Sequence, residues 1–354
     1  MKKILTVILL LAVVFGCGQE KPATTLAFKD VVKVKGYPIE AVLEKSTPVE
    51  LHTVGIKNIH VLDSLLMVVK DSEKGFLSVY RLPGMDSLGS YILKGNGPGE
   101  QLFCPLFSGM TFFKNGNSLC VGMMDPRGTY MEYDVDRSIK EGKTVLVSQN
   151  QLQASQSLYC GRIAEGEYFY RTLSGDMRSQ LRSVMKDTVV TRSKPMMYLN
   201  TLAVPSGSDG LLFNALSAIT GLKPDRELVV EASTMMNTIN VYSIKGTYAK
   251  TICLGSKPDD LEAICKSGST AMKQKNFGLQ VYDRCFAVLN SDGEKGSSKS
   301  VLFFDWKCNP LAKLTLSGDV FGFDVDWSSE NLYTFDSATE SIKKYDISSY
   351  KILR

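Results

Sequence analysis

Apolar and polar positions alternate along this chain in short bursts, and the bursts recur in a fixed order: an apolar strand, an acidic or polar turn, then a second strand with an aromatic or apolar anchor. Six copies are visible: VVKDSEKGFLSVYRL from Val68, VGMMDPRGTYMEYDV from Val121, YFYRTLSGDMRSQLRSVM from Tyr168, LVVEASTMMNTINVYSI from Leu228, FAVLNSDGEKGSSKSVLFFDW from Phe286 and LYTFDSATESIKKYDI from Leu332. Upstream of each lies another short strand and a tight connection, at Asp63-Ser64, Asn115-Gly116-Asn117, Glu165-Gly166, Lys223-Pro224-Asp225, Asp283-Arg284 and Ser328-Ser329-Glu330. Gly and Asn there tolerate positive φ, and Asp or Ser side chains bond nearby amides, so these connections favour hairpins over helices. A fourth apolar run follows in most units, as in LGSYILKG at Leu88, KTVLVSQ at Lys143, YAKTICLG at Tyr248 and LAKLTLSG at Leu311. Units of four strands at a period of about 50 residues, each burying its faces only against its neighbours, predict an all-β, six-bladed β-propeller with four antiparallel strands per blade. The last unit ends at Arg354 without a fourth strand, whereas Ala27 to Leu43 reads as a strand without a blade. The expectation is that this N-terminal strand completes the sixth blade and closes the ring, removing an edge that would invite aggregation.

Residues 1 to 16 read as an export signal rather than part of the fold, with Lys2 and Lys3 followed by an unbroken apolar run from Ile4 to Phe15. That run is too short to span a bilayer core, which needs about 20 residues. Val14-Phe15-Gly16-Cys17 resembles the bacterial lipoprotein box, with Phe15 standing where a small residue is usual; Cys17 is the expected lipidation site. Residues 17 to 25 then form a polar tether and 26 to 354 a single propeller domain. Gly18 is not the aspartate that retains lipoproteins in the inner membrane, so the expected place is the outer membrane, facing the periplasm or the surface. Without residues 1 to 16 the formal charge of +4 falls by two lysines to near neutral, with mixed signs along the strands. Neither a nucleic-acid stripe nor a polybasic membrane patch is visible. Seven cysteines remain, with no C-x-x-C pair. Cys253 with Cys265, or Cys285 with Cys308, are candidate disulfides, but most of these cysteines sit in apolar strand patterns as small buried hydrophobes.

The strongest local signature is Gly95-Asn96-Gly97-Pro98-Gly99-Glu100, after the fourth strand of the first blade. Together with the lipoprotein start and the six-unit repeat, it resembles the TolB-like six-bladed propeller lipoproteins of Gram-negative bacteria, in which such a loop links blade one to blade two. Its glycines permit positive φ and a convergence of amides that would hold an anion or a carbonyl; the competing reading is a crossover that only needs unusual dihedrals. Turn acids Asp71, Asp125, Asp176, Glu231, Asp292 and Asp336, one per blade, are expected on the same face. Arg127, Arg171 and Arg178 lie in or beside these turns. Asp71, Asp125, Arg127, Arg171 and Asp336 are the candidate binding residues at the channel mouth, with local turn capping as the alternative. No cofactor is expected beyond a candidate structural calcium ion.

Catalytic chemistry has little support. His52 and His60 are the only histidines, and no G-x-S-x-G elbow exists. Asp324 and Asp326 alternate along the last inner strand and are expected on a solvated channel wall. The preferred function is a non-catalytic, monomeric binding or scaffold module for a protein, peptide or glycan at the cell envelope. The alternatives are a hydrolase or lyase at the channel mouth, and an accessory component of polysaccharide uptake or envelope assembly.

Overall fold

The computed structural model describes residues 25–51, 53–102, 104, 110–125, 128–152, 157–206, 212–291 and 298–353. Six sheets stand around a central axis. From the inner strand outwards, blade 1 runs Ile56–Leu62, Leu65–Lys70, Leu77–Arg81 and Asp86–Tyr91. Blade 2 is Met110–Asn115, Ser118–Met124, Thr129–Asp134 and Leu146–Gln151. Blade 3 is Ser157–Ala164, Glu167–Leu173, Gln180–Lys186 and Val189–Thr191. The inner strands of blades 4, 5 and 6 are Ala218–Leu222, Asn276–Val281 and Val320–Asp326. Every strand and tight connection expected from the repeat is present. At the first connection Asp63 and Ser64 both take positive φ (51° and 61°), the pair of left-handed residues that joins strands by a two-residue turn.

The ring is closed by an N-terminal strand, but not by the expected one. Thr47–Val49 pairs antiparallel with Ser341–Asp346 as the fourth strand of blade 6, with Val49 opposite Ile342. Val31–Lys33 instead adds a fifth, parallel strand to blade 4, and Ile39–Leu43 does the same for blade 5. The expectation that Ala27 to Leu43 closes the ring is therefore corrected. That stretch is divided by Gly36-Tyr37-Pro38, and its two halves cover the outer edges of neighbouring blades.

Six clusters of buried apolar side chains occupy the six blade-to-blade junctions. Val230, Val241 and Ile252 of blade 4 meet Phe286, Val288 and Phe304 of blade 5, for example. Of the anchor residues on the third strands of the six units, Tyr133, Val184, Tyr242, Phe304 and Tyr345 are buried, whereas Tyr80 is only partly covered. Three seven-residue helices, Val135–Glu141, Lys194–Asn200 and Leu261–Ser267, interrupt the β pattern. No helix among the described residues is long and apolar enough to cross a membrane. All seven described cysteines are free thiols, five of them buried.

Candidate functional site

Inner strands turn alternate residues towards the axis, and around that axis lies a cavity of about 670 Å³. His60 of blade 1, Phe112 of blade 2, Thr220 of blade 4, Gln280 and Tyr282 of blade 5, and Asp324 and Trp327 of blade 6 contribute to its wall. Charged side chains from the connections at the ends of the inner strands, Asp63, Asp283, Arg226 and Arg284, reach it too.

Asp324 is the polar hub of this wall. Its Oδ2 accepts the Val61 N–H of blade 1 at 2.7 Å, and its Oδ1 accepts the Val325 N–H and the Tyr282 hydroxyl, each at 2.8 Å. One carboxyl thus ties blades 1, 5 and 6. The His60 Nδ1 stands 3.8 Å from Oδ2 and 3.5 Å from Gln280 Nε2, whose amide also donates to the Phe323 carbonyl at 2.8 Å. Phe112 packs against the imidazole with ring centres 4.5 Å apart. Burial pushes the Asp324 carboxyl up to about 7, against the three donated hydrogen bonds, and pushes His60 down to about 4. At neutral pH the imidazole is uncharged. The expectation of two aspartates on a solvated wall holds for the place of Asp324 on the wall, but not for its solvation or for Asp326. Asp324 is 4 % exposed. Asp326 does not line the cavity but turns to the next connection, accepting the Ser328 N–H at 3.0 Å and the Ser328 and Ser329 hydroxyls at 2.6 Å.

Arg171 and Glu231 are not turn residues. They lie within the second strands of blades 3 and 4, 1 % and 2 % exposed, and form a buried group with Arg182 of blade 3. Arg182 Nη2 donates to Glu231 Oε2 at 2.8 Å, the Tyr242 hydroxyl donates to Oε1 at 2.7 Å, and Arg171 Nε stands 3.7 Å from Oε1. Arg171 also donates to the Ala218 carbonyl at 2.8 Å, to Thr220 and to Gln180. Burial raises the Glu231 carboxyl, and the two guanidiniums overcome it, so the group sits below its ordinary value. The arrangement locks blade 3 to blade 4.

In the glycine loop the amides of Gly95, Gly97 and Glu100 are already occupied. Glu100 folds back so that its Oε2 accepts the Gly97 N–H at 2.8 Å, while the Gly95 N–H donates to the Gln101 carbonyl at 3.0 Å. A Cβ on Gly95 would collide with Glu100 Oε2, and one on Gly97 would stand 3.0 Å from the same carboxyl. Gly99 takes positive φ (76°), and Gly97 does not. The next residue, Gln101, is buried and donates to the Tyr133 hydroxyl at 3.0 Å, pinning the crossover to blade 2. Lys94 links this loop to the neighbouring turn, 3.8 Å from Asp71 and 3.0 Å from Glu73.

The turn acids do not converge. Asp125 accepts the Thr129 N–H at 2.7 Å, Asp336 accepts the N–H groups of Ala338 and Thr339 at 3.0 and 3.1 Å, and Asp176 bonds Ser174 and the Arg178 N–H. None of Gly95 to Glu100, Asp71, Asp125, Arg171 or Asp336 lines the central cavity. Cys17, His52, Arg127 and Asp292 lie outside the described residues. Among the described residues no group of three or more His, Cys, Asp or Glu is placed to hold a metal ion. Gln280, Tyr282, Gln101 and Arg226 are not among the site residues expected from the sequence. For Glu231 a signal was present, a carboxylate inside the apolar run Leu228-Val229-Val230, which marks a buried partner.

No protein-family model and no curated protein matches the chain. Among solved structures, it is similar to a member of the DUF4221 family from Bacteroides vulgatus, at 10 % identity over 86 % of this chain and 96 % of that one, with a TM-score of 0.56. The β-propeller domain of Cps50 (Swd1) from Myceliophteria thermophila aligns at 8 % identity over 86 % of this chain and all of that one, with a TM-score of 0.45. The likeness to the DUF4221 protein is one of fold.

Proposed function

We propose that the chain is a non-catalytic binding module of the cell envelope, tethered through Cys17 at the outer membrane, whose ligand occupies the central channel. The observation that carries this is the cavity of about 670 Å³, within the size range of small-ligand sites and walled by aromatic rings with a few converging polar groups. Its size narrows the protein, peptide or glycan ligand to a small molecule or the end of a chain. The TolB-like resemblance and a periplasmic or surface-facing scaffold role belong to the same proposal. A hydrolase or lyase has one observation in its favour, His60 beside Asp324 in the cavity wall. Against it, Asp324 already serves three donors as a structural joint between blades, which leaves little of it for chemistry.

Because the chain has only two histidines, the His60 imidazole is a natural reporter. It is assigned by NMR in the mature protein against a His52→Gln variant. Members of a chemically diverse fragment library are expected to shift the His60 signals without being turned over. A library in which no compound moves them defeats the binding proposal, and steady conversion of a bound compound favours the enzyme.

A further inference from the structure

We infer that the channel selects a small organic carboxylate with an aromatic or apolar body, and that Arg226 is the residue that receives the carboxylate. The inference deepens the channel-binding proposal and rests on it.

Arg226 sits in the connection leaving the inner strand of blade 4, is half-buried, and lines the cavity. Its guanidinium carbon stands 5.8 Å from the centre of the Phe113 ring of blade 2. Arg162 of blade 3 approaches the same ring at the same distance. The two cations differ in one respect. Arg162 is paired with Glu132 at 3.0 Å, whereas no carboxylate among the described residues lies within ion-pair distance of Arg226. The adjacent acid, Asp225, is taken by Lys223. A partly desolvated guanidinium next to a second guanidinium, with only the Lys223-paired Asp225 as a nearby counter-charge, is costly for the fold alone and is relieved by an anion. The planar donor fork of arginine matches a carboxylate in two parallel hydrogen bonds.

The rest of the cavity agrees in chemistry. Four basic residues and three acidic ones line it, and two of the acids are already engaged: Asp63 is paired with Lys114, and Asp324 is held by Val61, Val325 and Tyr282; the third, Asp283, is exposed and is not in ion-pair contact with Arg226. Phe112, Phe277 and Trp327 supply rings for an apolar body.

The test uses phenylacetate and its neutral counterpart phenylacetamide, titrated into the mature protein while the His60 signals and the heat of binding are followed. Phenylacetate is expected to bind about tenfold more tightly than the amide, the scale of one charge-assisted interaction. Arg226→Gln is expected to remove that preference and Arg226→Lys to keep part of it. The comparison of the two ligands on the unaltered protein needs no variant, so a variant that folds poorly does not blunt the test. Equal affinity for acid and amide overturns the inference while leaving channel binding intact, as does an Arg226→Gln protein that keeps the preference. If neither compound nor any library fragment moves the His60 signals, the channel-binding proposal falls with it.

Discussion

His60 and Asp324 touch the same cavity but pull stability in opposite directions as pH changes. Asp324 holds its proton up to about 7 in the folded chain, so folding gains protons between its ordinary carboxylate range and that value, and stability falls as pH rises through the window. His60 is uncharged down to about 4 against an ordinary value of 6.5, so the unfolded chain takes up the proton first and stability falls as pH drops between those limits. The two slopes offset each other in the native protein. Relative to it, His60→Gln is expected to gain stability as pH is lowered from 7 to 4, and Asp324→Asn to gain stability as pH is raised, each by about 1–3 kcal/mol across the window. Urea midpoints at the two ends read this directly; differences that stay flat with pH contradict the opposed pair. At this scale the sequence was least legible. Asp324 is a charged residue in an inner strand, and nothing in FDVDW says that the Val61 amide and the Tyr282 hydroxyl, from other blades, will meet it. Arg226 is likewise one more polar residue in a turn until blade 2 brings Phe113 beside it.

The glycine loop explains itself once its acid is seen. Gly95 and Gly97 lack side chains where the Glu100 carboxyl must lie, and that carboxyl satisfies the Gly97 amide. Gly95→Ala is expected to cost about 1–3 kcal/mol, by displacing Glu100 and freeing the amide it bonds. In a Glu100→Ala background the same change costs less, and thermal unfolding of the four proteins measures the coupling. Strictly additive effects would mean that the two residues do not share the space. Elements as a class were readable, because most second and third strands are largely buried and are separated by turn residues at short, regular intervals. The helix Val135–Glu141 was missed although its stops are in the sequence. Asp134 caps its first turn by accepting the Arg137 N–H at 2.8 Å, and Gly142 ends it at φ 66°. The strand pattern on either side outweighed those signals.

The ring as a whole is held by apolar junctions between blades, by polar joints at Asp324 and Glu231, and by the strand that closes it. Replacing Thr47–Val49 with Gly-Gly-Ser is expected to strip the partner from Ile342, Lys343 and Lys344. Amide exchange there should accelerate at least about tenfold relative to blade 4, since the strand has lost its ladder on one side. Unchanged protection would show that another segment performs the closure. The need for a closing strand was visible from the incomplete last unit, but its position was not. Thr47-Pro48-Val49 is too short and too polar to register as a strand, whereas the more apolar residues before it looked the part and are used elsewhere. Residues 31 to 49 thus run along three successive blades, gripping blade 4, then blade 5, then blade 6. A tug on the N-terminal end therefore meets three latches in series. The outer two must peel before any load reaches the seam, so a pull from the N-terminal side is spent at the rim while the channel keeps its shape.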